Sequence, residues 1–222
     1  MDFLKIVRGI EEFIFEATSW LAFYPLTLWR IIRSPLATME YSDREQAEPE
    51  ERRYDDSLSP PLLLLATIVI ANAASVAAHI PPPESASDLT KALASSPQNL
   101  VLFRSLVFSL IPLVSALTLL RKQGKKISRD SLRAPFYAQC YLAAPCAAFV
   151  SAGGIIFQRP DIPNVIGLLG MIGGAAWFLI VQTRWFRKRL DIAWGAAVLT
   201  AVWAVVRALV YLTLILVAAA CL

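Results

Sequence analysis

Few residues of this 222-residue chain are placed to do polar chemistry, because long apolar runs separate them. Arg207 stands out. It lies about 13 residues, or about 20 Å, into the last apolar run, where a charge costs at least about 2.5 kcal/mol on insertion scales. No Asp or Glu stands in any of the five apolar runs. A partner for Arg207 must then be backbone carbonyls, an amide such as Asn72 or Gln139, water, or an anion such as a lipid phosphate. Arg207, Asn72 and Gln139 are therefore the candidate anion, lipid or substrate site. The plainer alternative is an arginine that snorkels or packs on carbonyls. Arg104, about five residues inside its own run, is expected to snorkel outward.

The remaining reactive types do not assemble into a catalytic set. His79 is the only histidine, which excludes metal sites and proton relays built on several imidazoles. Cys140, Cys146 and Cys221 all fall in apolar runs. Cys140 and Cys146 are six apart, about 240° on a helix, so they do not face one another. No phosphate-binding loop, nucleophile elbow, zinc-protease or dinucleotide motif occurs. The expectation is a non-enzymatic protein with no catalytic residues, no metal and no cofactor.

The elements that position these residues are membrane helices. The chain is 57% hydrophobic and 17% charged, with a mean hydropathy of +0.56. Apolar runs of 18 residues or more signal spanning helices. Five are expected, at about 60–80, 99–120, 134–157, 165–183 and 194–222, with Pro112 and Pro145 kinking the second and third. The fold class is all-α: a polytopic membrane protein with five transmembrane helices, preceded by an amphipathic interfacial segment. Residues 1–36 supply that segment. Phe3, Ile6, Val7, Ile10, Phe13 and Ile14 share one face, and Glu11, Glu12 and Glu16 keep to another. A re-entrant hairpin or a helix docked under the bundle are the alternatives. Residues 37–59, rich in Glu and Asp around Pro49, read as an acidic cytoplasmic linker, with an acidic docking site for a partner as the other option.

Charge sets the sidedness. Arg121–Arg133 holds six Lys/Arg against Asp130 alone, and Arg184–Ala193 holds four against Asp191. Short basic loops stay in the cytoplasm, so the N-terminus is expected there and the C-terminus outside. The net charge is +4, and the basic residues are concentrated in those two loops, which argues for membrane topology and against nucleic acid. Gly167, Gly170, Gly173 and Gly174 put a small-residue face on the fourth span, including the spaced pair Gly170 and Gly174. Ala197, Ala201, Ala204 and Ala208 do the same on the fifth. Such faces let helices approach closely, within one protomer or between two.

Several stretches are similar to the Yip family, the Ypt/Rab-interacting five-span membrane proteins and their bacterial relatives. They are Trp29–Thr38 (WRIIRSPLAT), Tyr137–Pro145 (YAQCYLAAP), and Ala176-Trp177 followed by a basic loop and an Ala-rich last helix. The resemblance covers about residues 20–222; the family's Tyr-Gly-Pro element before the first span is missing. It implies a non-enzymatic role in membrane organisation or trafficking. The competing class is a small permease passing an anionic or amphiphilic solute near Arg207. Expected partners are the lipid bilayer, anionic lipid included, and a second copy or another membrane protein. The expected location is a bacterial-type cytoplasmic (inner) membrane.

Overall fold

Proline and serine mark where the helices begin. In the computed structural model, Pro60 and Pro61 open one helix, where a missing N–H costs nothing. Ser128 opens another with a reciprocal capping box, its hydroxyl accepting from the Ser131 N–H and its own N–H donating to Ser131 Oγ. The structure describes residues 18–20, 22–80 and 97–220. Its helices are α1 (22–33), α2 (Pro35–Glu45), α3 (Pro60–Ala77), α4 (Pro97–Lys122), α5 (Arg129–Phe157), α6 (Asn164–Leu190) and α7 (Trp194–Ala220), with a short 3₁₀ turn at Glu50–Arg52. No strand occurs among the described residues.

The helix ends follow local rules. After α4, Gly124 takes φ 66° while Lys125 N–H reaches back to the Leu120 carbonyl and Gly124 N–H to Arg121. This is the left-handed ending for which glycine is the natural residue. The same pair of bonds closes α3, from Ile80 to Ser75 and from His79 to Val76, with His79 at φ 53° where glycine would be usual. The lone histidine thus serves as an exposed helix terminator.

Helix α5 is the centre of the bundle. It packs on α2, α3, α4 and α6, while α7 closes the far side against α4 and α6. Between lipid-soluble helices the hydrophobic effect contributes little, so close approach decides the pairing. A Cβ added at Gly167 of α6 would lie 2.5 Å from the Gly153 carbonyl oxygen of α5 and 2.4 Å from the Phe157 nitrogen, and one at Gly174 would lie 2.5 Å from Phe149 Cβ. A Cβ at Gly170 would stand an ordinary 3.6 Å from Gly153 Cα. The close approach therefore uses Gly167 and Gly174, two turns apart on one face, and of the spaced pair Gly170 and Gly174 only the second takes part. On α7, Ala197, Ala201, Ala204 and Ala208 are all buried. The alanine face is thus spent inside the protomer, as are Gly167 and Gly174, while Gly173 stays exposed.

Among the described residues, four helices are long and apolar enough to cross a membrane: Pro60–Ala77, Arg129–Phe157, Asn164–Leu190 and Trp194–Ile215, with mean hydropathies of 1.9, 1.8, 2.0 and 2.1. Helix α4 occupies the expected second span. Pro112, Pro135 and Pro145 lie inside continuous helices. The side chains facing away from the bundle are apolar, Leu168, Leu169 and Ile172 on α6 and Leu199, Trp203 and Leu214 on α7 among them, as a lipid-facing surface requires.

Two regions differ from the sequence reading. The expected linker 37–59 is folded: α2 packs on α5 and α6, and Met39 and Ser42 are completely buried. Helix α6 also runs through most of the expected second basic loop, because Trp185 and Phe186 are buried side chains that pack in the core with Met39. Asp191, at φ 50°, ends it. The amphipathic stripe of residues 1–17 lies outside the described residues. The segment beginning at Trp20 docks along α3: Trp20, Phe23 and Tyr24 pack among Leu63, Leu64 and Ile68, and Tyr24 donates to Thr67.

Candidate functional site: a lateral groove and its polar cap

Four tyrosines gather at the end of the bundle that carries the basic loop. Tyr54 sits at φ 61°, a backbone state rare for an aromatic residue. It is held there by its N–H donating to the Glu45 carboxylate at 2.6 Å and by its hydroxyl, which meets Gln46 and Ser42. Its ring stands 6.2 Å from those of Tyr41 and Tyr141, edge to face, and 6.3 Å from Tyr137, stacked. Tyr141, fully buried on α5, donates to the Leu58 carbonyl at 2.7 Å. Tyr41 donates to Asp56 at 2.6 Å, and Arg30 pairs with the same carboxylate while lying over the Tyr41 ring. The Tyr41 hydrogen bond, with Arg30 behind it, holds the Asp56 carboxyl below the usual range. Burial and the neighbouring Asp56 push the Tyr41 hydroxyl up.

A second set of contacts fastens the cap to α6. Lys188 pairs with Glu40 and Arg189 with Asp43, joining the Arg/Lys-rich end of α6 to α2. Arg187 and Arg189 also lie 4.3 and 4.4 Å over the rings of Trp194 and Trp185. Four acids of 37–59, Glu40, Asp43, Glu50 and Asp56, therefore meet basic residues of this chain.

The polar cap borders a large groove. A half-open groove of about 770 Å³ lies between α4, α5 and α7. Leu106, Leu110 and Leu113 form one stripe of α4 along it, Leu132 and Phe136 line it from α5, and Leu212 and Ile215 from α7. One end is charged, with Arg129, Asp130 and Arg133 on the first turns of α5. Arg133 lies 5.7 Å over the Tyr137 ring and pairs with Glu50 at 3.2 Å, which ties the groove to the cap. Arg129 makes no ion pair among the described residues.

Arg207 lies elsewhere. Its Nη2 donates to the Thr118 hydroxyl on α4, and that hydroxyl donates onward to the Val114 carbonyl at 2.6 Å. Its side chain leans toward the basic end of the bundle, as long side chains lean toward a helix N-terminus. The guanidinium Nε and the nearby Ser115 hydroxyl, one turn from Thr118, are buried without partners. Gln139 is not its ligand, since both polar atoms of that fully buried amide are unpaired. Gln182 of α6 is in the same condition. The antiparallel register that sets Gly153 against Gly167 brings the two amides to one level. Asn72 is buried on α3, which shares no extended packing with α7. The three residues grouped on sequence grounds thus lie in three parts of the bundle.

Cys140 is buried and Cys146 half-buried, both as free thiols. No group of three or more metal-ligating side chains occurs among the described residues. The groove escaped the sequence reading because Arg129 and Arg133 served there only as topology markers. A signal existed: Arg129, Arg133, Phe136 and Tyr137 fall at helical spacing, joining charge to an aromatic stripe once α5 is extended back to Arg129. Comparison of the chain with protein-family models, with curated proteins and with solved structures finds no match to any of them.

Proposed function

We propose that the chain is a five-span protein of a bacterial-type cytoplasmic membrane with a non-enzymatic, membrane-organising or accessory role, of the kind the Yip resemblance implies. The fifth crossing is α4. It is 26 residues long, ends in Arg121 and Lys122, and lies between α5 and α7, two helices that are themselves long and apolar enough to cross. A helix held between two spanning neighbours must cross with them. The basic loops then share the cytoplasmic side with the cap, and the C-terminus lies outside. The observation that carries the role is the groove between α4, α5 and α7, whose lining includes Leu106 and Ile215, both exposed on the side of the bundle.

Transport of an anionic solute remains the second reading, favoured by the buried, partnerless Nε of Arg207 and Ser115 hydroxyl. Proteoliposomes loaded with an anionic fluorophore separate the two. The organising role expects no efflux above protein-free vesicles. Efflux that Arg207→Leu abolishes would replace it with transport. Topology is tested with single cysteines at Ser128 and Gln158 in a chain whose native cysteines are changed to alanine. An impermeant thiol reagent on intact cells should label Gln158→Cys alone.

A further inference from the structure

We propose that the groove between α4, α5 and α7 binds an anionic glycerophospholipid, its phosphate held by Arg129 and Arg133 and its acyl chains lying along α4 and α7. The proposal rests on the reading above, in which these helices span the membrane and the Arg121–Arg133 loop is cytoplasmic.

The two ends of the groove have opposite chemistry, as the two ends of a phospholipid do. Arg129 and Arg133 are four residues apart on α5 and share a face. Each can present a planar pair of N–H donors to one phosphate. They also belong to the loop of six Lys/Arg, and basic pockets between membrane helices on the cytoplasmic side are where anionic headgroups bind. Beyond them the lining is apolar. Leu106 to Leu113 alone follows about 10 Å of α4, far deeper than a free phosphate needs. The volume of about 770 Å³ lies within the range of about 300–1,000 Å³ typical of ligand sites. A purely apolar occupant, such as a partner's helix, would match the leucine stripe but offer nothing to the exposed Arg129 and Arg133 at the mouth.

Two acids modulate the mouth. Glu50, on the folded segment between α2 and α3, already pairs with Arg133, so the headgroup and Glu50 compete for one guanidinium. Asp130 lines the same end and opposes an anion there. The cap is thus coupled to the groove: lipid binding releases Glu50, and with it one tie between the cap and α5.

Native mass spectrometry of the detergent-purified full chain tests this, titrating dioleoyl phosphatidylglycerol against dioleoyl phosphatidylcholine. With identical chains, the two lipids differ only in the head. The wild type should bind the anionic lipid about tenfold tighter, the scale of a charge-assisted contact. Arg129→Gln with Arg133→Gln should bring the two lipids to near equality. Lys125→Gln with Lys126→Gln, which removes the same charge from the same loop outside the groove, should keep most of the preference. Glu50→Gln should raise affinity for the anionic lipid a few-fold, and Leu110→Trp, which fills the groove, should weaken both lipids. Thermal melts of each variant exclude unfolding as the cause. Equal binding of both lipids by the wild type would overturn the proposal, as would an equal loss from the lysine pair. Displacement of the anionic lipid by millimolar inorganic phosphate would also overturn it, making the site one for free phosphate. The Ser128→Cys labelling separates the two failures. Labelling from outside sinks the membrane topology itself, whereas a cytoplasmic Ser128 without lipid preference sinks only the groove assignment.

Discussion

Gly167→Ala puts the packing of α5 on α6 to a direct test. The new Cβ would lie 2.4 Å from the Phe157 nitrogen, 2.5 Å from the Gly153 carbonyl oxygen and 2.7 Å from Phe157 Cα. All three are backbone atoms, so no side chain can swing away, and ordinary contact is reached only if the helices part by about 1 Å. A gap of that size forfeits a quarter to a half of the dispersion energy of each contact it opens. Overpacking of this kind costs about 1–3 kcal/mol. Exchanging glycine for alanine within a helix returns up to about 1 kcal/mol, and Gly173→Ala measures that gain alone, because nothing lies within 4 Å of its Cβ. Gly170→Ala should follow the control, its nearest neighbour being 3.6 Å away. The assay is thermal unfolding in detergent, read by a thiol-reactive dye that reaches buried Cys140 only when α5 comes apart. At about 2–4 °C per kcal/mol for a chain of this size, Gly167→Ala should melt about 2–12 °C below Gly173→Ala. Equal melting temperatures would refute the close approach of Gly153 and Gly167.

Thr118→Val should destabilise the bundle by about 1–3 kcal/mol, because it leaves the Arg207 guanidinium without its acceptor. Thr118→Val combined with Arg207→Leu should cost less than the two singles summed, the coupling being read from a double-mutant cycle in the same melts. Tyr141→Phe should cost about 1 kcal/mol through the lost bond to the Leu58 carbonyl and raise hydrogen exchange over 53–58; unchanged exchange there would detach Tyr141 from the cap. Asp56, whose folded pKa is lowered by Tyr41 and Arg30, contributes stability that is present above the ordinary carboxylate pKa and lost as pH falls through its folded value. The stability difference between wild type and Asp56→Asn should therefore shrink below about pH 4, and a difference that stays constant down to pH 3 would contradict the assignment. Exchanging the charges at Glu40 and Lys188 together should restore the α2–α6 attachment that Glu40→Lys alone weakens, as limited proteolysis of 37–59 would show.

Hydropathy placed the helices well, because a run such as Pro60–Ala77 is apolar all round and needs no neighbour to be recognised. The prolines at 60 and 61 and the glycine at 124 punctuated them for reasons local to the backbone. Alanine at 197, 201, 204 and 208 even marked the buried face of α7. All of this depends on residues near one another in the chain, and so it was legible in sequence.

What only the tertiary structure decided is which faces meet. A helix that is apolar on every side, as α6 is at Leu168, Leu169 and Ile172, carries no directional signal, and the use of Gly167 with Gly174 rather than Gly170 with Gly174 came from the crossing with α5. Residues 37–59 look like a linker because they are rich in charge and have no apolar run, although Tyr41 and Asp56, and Tyr54 with Ser42, Gln46 and Glu45, pair within the segment. The contacts that fix it to the bundle are far away in sequence, Lys188 and Arg189 for Glu40 and Asp43, Arg133 for Glu50, and Tyr141 for the Leu58 carbonyl. Arg207 was recognised as a charge in need of a partner, but Thr118 is a hydroxyl on another helix, chosen by the packing of α4 on α7. Local propensity and burial are properties of a segment; pairing belongs to the assembled bundle, where the relative rotation of two helices turns a distant residue into a neighbour.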